Sequence, residues 1–291
     1  MDTVYHYTSL NGFLGIIGSR SLWATNAAYL NDAAEITHAL DFANRVTGSI
    51  YMHDDYLAAF GWVTRHALSD LEIKDLYVTS FSEAPDLLSQ WRGYCPPGAG
   101  LCLGFDFEFF NDYFRQEGHR LEKCLYGDAN GIDDIEKLVA QCLEKFPKFL
   151  ITREEFDNLD SEASSRFAID SLKRVTEGAA KQHADAAISW LCSEIAELAP
   201  RLKNIGFHEE AEWRIIAKAS TGQTKFRTGS SYLIPYLPLE LGTAFGKALR
   251  EVIIGPNPNQ RRCADSIKIA LARHNLNEVI VRCSSLPFNN W

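Results

Sequence analysis

The sequence predicts an α+β protein whose strands fall into an N-terminal and a C-terminal group separated by a block of helices. Three observations lead there. Over residues 1–130, short β-branched and aromatic segments alternate with amphipathic ones. Residues 131–205 show helical spacing alone, and residues 206–291 return to strands and close on a β-α-β unit. The expected organisation is therefore an N-terminal part of the core (1–130), a helical insertion (131–205) and a C-terminal part of the core (206–291).

Residues 4–8 read as a strand. The segment SLNGFLGIIGSR follows as a helix with Leu10, Phe13, Leu14 and Ile17 on one face, and SLWATN as a second strand. Residues 32–68 suggest two helices. Residues 75–82 (DLYVTSFS) have the composition of a buried strand, 87–94 that of a short helix, and the turn cluster CPPGAG leads into a strand at 101–105. In the insertion, Ile135, Leu138, Val139, Cys142 and Phe146 recur at helical spacing, as do Ala184, Ile188, Leu191, Ile195 and Leu198. Then come a charged strand at 207–218, a strand within 225–237, a helix near 241–249, the strand EVIIG, the helix ADSIKIALARH and the strand EVIVRC.

At 291 residues, with 46% hydrophobic and 23% charged residues, the chain has an ordinary globular composition, with no sign of disorder or a fibrous repeat. No apolar run reaches the length of a membrane span and the start, MDTVYHYTSL, lacks the pattern of a secretion signal, so a cytoplasmic protein without a membrane partner is expected. Seven scattered cysteines without a CxxC pair fit neither a disulfide framework nor a zinc site. The net charge of −9 argues against a general nucleic-acid coat and means that an anionic ligand needs dedicated donors.

The segment FHEEAEWRIIAK carries the strongest chemical signal. Read as one strand, it sends Glu210, Glu212 and Arg214 to one face and Ala211, Trp213 and Ile215 to the other. Charged groups on a strand face are either solvated at a sheet edge or paired in a site. Two other strands pair polar residues the same way: His6 with Thr8, and Ser80 with Ser82. Asn31 and Asp32 have the composition of a helix start.

The ordered series YHYTS, LND, SFS, QWRGY, GLCLGF, EAEWRI and VIIGP resembles a widespread bacterial family of unknown function, along nearly the whole chain. A histidine and threonine on the first strand, a helix, a second strand, a serine-rich strand and a final Glu-x-Glu strand are similar to the ADP-ribosyltransferase superfamily. That resemblance implies a split β-sheet core with a helical insertion, and NAD as substrate in a cleft between two small sheets. It makes Glu212 the catalytic carboxylate, Glu210 the residue that orients the acceptor, and His6 and Thr8 contacts to the ribose side of NAD. Ser80 and Ser82 then match the polar residues of the central strand, Arg214 is a further cofactor contact, Arg92 and Arg20 are donors to the phosphates, and Trp23, Tyr29, Trp91 and Tyr94 are stacking surfaces. The second strand departs from the pattern by lacking its tyrosine, which leaves Trp23 or Tyr29 in that place. The acceptor would be a protein, a nucleic acid or water, and the role that of a toxin or phage-defence effector. Two rivals remain. One is a metal-dependent nuclease or phosphoesterase using His6, Asp32, Glu210 and Glu212; the other is a non-catalytic nucleotide- or protein-binding module.

Overall fold

A computed structural model describes residues 2–30, 33–71, 75–219, 221–229 and 231–287. In chain order the elements are β1 (Thr3–Ser9), α1 (Leu10–Ser19), β2 (Ser21–Asn26), α2 (Ala33–His53), α3 (Ala58–Ser69), β3 (Leu76–Ser82), α4 (Leu88–Tyr94), β4 (Gly100–Asp106), α5 (Phe107–Gln116), β5 (Arg120–Lys123), β6 (Leu125–Tyr126), α6 (Asp128–Lys145), α7 (Arg153–Asp157), α8 (Ser161–Thr176) and α9 (Lys181–Leu198). They continue with β7 (Leu202–Lys203), β8 (Glu212–Lys218), β9 (Lys225–Thr228), β10 (Leu233–Glu240), α10 (Phe245–Ala248), β11 (Leu249–Ile254), α11 (Gln260–Arg273) and β12 (Ile280–Cys283). The fold is mixed α/β with a mostly antiparallel sheet.

The chain divides into two compact units. One comprises Asn31–Ile73 and Leu125–Ile205 and is built from helices with the small parallel pair β6–β7. Its core joins Ala43, Phe60 and Leu68 of α2 and α3 to Ile135, Val139 and Leu191 of α6 and α9. Residues 31–73 thus share the core of the block that the sequence pattern confines to 131–205, because an amphipathic helix goes where its apolar stripe finds a partner.

The other unit comprises Met1–Leu30, Lys74–Cys124 and Gly206–Trp291 and holds the large sheet. Its strands run in the order β12-β11-β4-β1-β3-β2-β10-β9, with β8 on β3 and β5 on β8. Only β11 and β12 pair in parallel among the described strands of this sheet. One face carries the main core, in which Phe13, Ile16 and Ile17 of α1, Phe110 and Phe114 of α5 and Leu271 of α11 pack on Val4, Phe81, Leu103 and Phe105. The opposite face carries a smaller cluster of Tyr7, Trp91, Cys95, Cys102 and Ile253. β4 is buried at six of its seven positions because it is covered on both faces.

Several elements differ from the sequence pattern. α1 buries Phe13, Ile16 and Ile17, whereas Leu10 and Leu14 are exposed, so its apolar stripe is rotated relative to the expected one. The helix expected at 241–249 shortens to α10, because Leu249 is already paired with Phe105 in the sheet. The single strand expected within 225–237 is a hairpin of β9 and β10, closed by Gly229 N–H donating to the Tyr232 carbonyl at 2.9 Å. Gly229 suits that turn, since a Cβ there would lie 2.8 Å from the Tyr232 oxygen.

Phe105 is fully buried, with its ring against Phe81, Phe110 and Phe245. Phe105→Ala should lower unfolding free energy by about 3–5 kcal/mol, read as a lower midpoint in urea at unchanged slope. A loss below about 1 kcal/mol would contradict this packing.

Candidate functional site

The sheet forks at β3. One edge of β3 pairs along its full length with β8, from Leu76 opposite Lys218 to Ser82 opposite Glu212. Its other edge is shared: β2 pairs only at Tyr77 and Val78, and β1 only through Tyr5 opposite Ser82. β1 and β2 therefore diverge, and Thr79, Ser80 and Phe81 have no strand partner on that edge among the described residues. A buried carbonyl left without a donor costs free energy. Here His6 on β1 supplies one, its Nδ1 lying 2.9 Å from the Ser80 carbonyl oxygen. Since a carbonyl only accepts, Nδ1 carries the proton of the neutral ring and Nε2 keeps the lone pair. His6 retains some solvent-accessible surface but lies deep enough that burial pushes its pKa below the ordinary histidine value. The bond to Ser80 works the other way, and the nearby charge of Arg227 adds to the lowering.

Antiparallel register fixes which side chains share a face. Ser80 lies opposite Arg214 and Ser82 opposite Glu212, and on the far side of β8 Glu122 of β5 lies opposite Arg214. The serine pair and the Glu212–Arg214 pair thus occupy one face. His6 and Thr8 point to the other, because it is Tyr5 that pairs with Ser82. Accordingly the His6 ring sits 5.6 Å from that of Phe81, on the core side.

Arg214 is the largest fully buried side chain of the described residues. It holds Glu212 in a fork, Nε at 2.7 Å from Oε1 and one terminal nitrogen at 3.2 Å from Oε2. Glu212 is itself buried, and such a bidentate contact fixes the orientation of the carboxylate as well as balancing its charge.

Glu210 does not continue this strand. It ends the 3-10 turn Ile205–Glu210, and the next residue, Ala211, has φ of 41°, in the left-handed region. That conformation costs an alanine about 1 kcal/mol and breaks the period-two alternation. The turn is held by Ser82 Oγ, which donates to the Glu210 carbonyl at 2.6 Å and accepts from Ala84 N–H at 3.0 Å, and by Glu83 N–H donating to the Ala211 carbonyl at 3.2 Å. Ser82 fastens the backbone that presents the two carboxylates.

The other residues expected at a site are dispersed. Thr8 lies against α1, where only a glycine fits at position 12, since a Cβ would come within 2.1 Å of the threonine hydroxyl. Trp23 packs over Gly15 and 5.1 Å from the ring of Tyr236. Tyr29 is exposed beside Tyr232. Trp91 is buried in packing: its Nε1 donates to Asp86 at 2.8 Å, its ring meets Tyr7 edge-on, and it fills the space above Gly100 and Gly255. Trp91, Gly100 and Gly255 stand in QWRGY, GLCLGF and VIIGP, so that part of the motif series is explained by packing. Arg92 and Tyr94 lie on the exposed side of α4, and Arg92 lines an open hollow of about 530 Å³ with Leu87, Ser89 and Glu209. Arg20 donates to the His274 carbonyl at 3.1 Å.

Asn31 and Asp32 lie outside the described residues. Among the described residues no three His, Cys, Asp or Glu side chains stand together as metal ligands. No helix among them is long and apolar enough to cross a membrane.

Sequence reasoning missed Thr25, Arg227 and Tyr236, which gather beside the fork. Tyr236 lies opposite Thr25, and an Arg227 terminal nitrogen donates to Thr25 Oγ1 at 2.9 Å. The signal that could have found them is the GSSY turn, which marks the hairpin and sets Arg227 and Tyr236 on neighbouring strands.

Removing one member of a buried ion pair strands the other. Arg214→Met and Glu212→Met should each cost about 3–5 kcal/mol, whereas the double variant Arg214→Met with Glu212→Met should cost clearly less than the sum of the two single losses. Denaturant unfolding of the cycle checks this. Additive losses would contradict a coupled pair.

Neither the curated proteins nor the solved structures contain a match to this chain. Residues 90–215, the span holding QWRGY, GLCLGF and EAEWRI, match the model of the family described as "Protein of unknown function (DUF2971)".

Proposed function

We propose that this chain is an ADP-ribosyltransferase-like enzyme that cleaves the nicotinamide–ribose bond of NAD and passes ADP-ribose to a macromolecule or to water. The observation that carries this reading is the fork itself: β1 and β2 diverge along one edge of β3, with His6 at the opening, Glu212 on the strand across β3 and Glu210 in the turn that leads into that strand. A split sheet core of ADP-ribosyltransferase type would place a dinucleotide at such an opening.

The chemistry asks little of a general acid, because nicotinamide leaves as a neutral molecule with the bonding electron pair. The ribose carbon becomes oxocarbenium-like, and an incoming acceptor oxygen or nitrogen completes the exchange, its proton passing to solvent. Glu212 supplies negative charge near the ribose, and Arg214 fixes its direction. Neutral His6 keeps Nε2 as an acceptor for a ribose hydroxyl. Glu210, presented by the strained turn at Ala211, orients the acceptor.

A second reading draws on a specific feature. The Glu212 charge is already matched by Arg214 in a buried fork, the arrangement of a structural pair in a nucleotide-binding module without turnover.

Incubation of the purified protein with NAD and cell lysate, followed by chromatography of nicotinamide, separates the two. Transferase chemistry predicts nicotinamide release, a kcat lower by about 10²–10³-fold in a folded Glu212→Gln protein, and a raised KM in His6→Gln. Binding of NAD without release would favour the module, and wild-type turnover in Glu212→Gln would overturn the mechanism.

A further inference from the structure

Arg227 is held in a manner that its protein contacts do not account for. It extends from β9 across β10 to Thr25 on β2, and that bond to a neutral hydroxyl is its one hydrogen bond among the described residues. Its Nε is buried with no acceptor among them. The residue is partly buried, and burial lowers its pKa from the ordinary arginine value, which Tyr236 offsets in part. No carboxylate among the described residues pairs with it. The groups around it are neutral: Thr25 on β2, Tyr236 on β10 and, from β1, His6, whose basicity is itself depressed. A partly desolvated cation with unused donors, in a chain of net charge −9, is a concentrated positive point.

From this geometry we infer that Arg227, braced by Thr25, is an anion subsite at the fork that takes the diphosphate of a nucleotide. A guanidinium offers two parallel donors to phosphate oxygens, and Nε is one member of that fork. The buried donor then gains the acceptor it lacks. Beside it Trp23 and Tyr236 stand ring to ring on paired strands, two tilted aromatic rings next to the charge that suit the sugar and base attached to a phosphate. The subsite deepens the NAD reading by moving phosphate recognition away from Arg92 and Arg20 to Arg227. It requires only that a nucleotide binds at the fork, not that it is cleaved.

Titration calorimetry with ADP and with adenosine tests it. Wild-type protein should bind ADP more tightly than adenosine, and Arg227→Gln should weaken ADP by about 10- to 100-fold while leaving adenosine unchanged. Thr25→Val, which removes the brace but keeps the charge, should weaken ADP to a smaller degree, and circular dichroism shows whether each variant is folded. Equal ADP affinity in wild-type and folded Arg227→Gln protein, or no ADP binding by wild type at millimolar concentration, would overturn the subsite and leave a guanidinium satisfied by water alone. The two proposals can fail separately. Arg227-dependent ADP binding without nicotinamide release keeps the subsite and removes the cleavage chemistry; nicotinamide release with an unchanged KM in Arg227→Gln does the reverse.

Discussion

A strand has two edges, and β3 is asked to serve three partners. β8 takes one edge entirely, so β1 and β2 must divide the other, and they meet it at opposite ends. The backbone between them is left without a sheet partner, and His6 closes that gap with a side chain where a strand would have used its main chain. Much of the larger unit follows from this. The helix joining β1 to β2 must span diverging strands at close range, which is why Gly12 and Gly15 meet Thr8 and Trp23 without a Cβ. The hairpin of β9 and β10 extends the β2 side, bringing Arg227 back toward the opening.

Charge is distributed unevenly around this opening. On the β8 side a carboxylate and a guanidinium neutralise each other in a buried fork, so the pair sets direction more than net field. On the β9 side the guanidinium of Arg227 has a hydroxyl for company and no acid among the described residues. One flank therefore orients and the other attracts. A bound anion would complete the second flank.

Much of the local structure is legible in the residues. Alternation in VTSFS and EWRIIA predicts the two strands that place Ser80, Ser82, Glu212 and Arg214 on one face, and register brings the strands together. Legibility stops where tertiary pairing decides. His6 looks like a member of the same polar face, but the single contact of Tyr5 with Ser82 turns it to the core side. Glu210 looks like the next residue of the strand, but Ala211 adopts a left-handed turn that no alanine advertises. Trp91 looks like a stacking platform and is instead buried over Gly100 and the distant Gly255. Arg227 carries no motif, and its environment exists only once β9 folds back on β10.

The most direct test of this picture is nitrogen-detected NMR of His6 through a pH titration. A ring donating to the Ser80 carbonyl predicts a neutral imidazole with its proton on Nδ1 and a pKa below that of a free histidine, about 6.5. Below that pH the unfolded chain takes up a proton that the folded His6 resists, so stability should fall as pH drops from about 6.5 toward the folded pKa, and a His6→Gln protein should lack that slope. A proton on Nε2, or a pKa at or above the free value, would mean that His6 does not close the gap in the sheet.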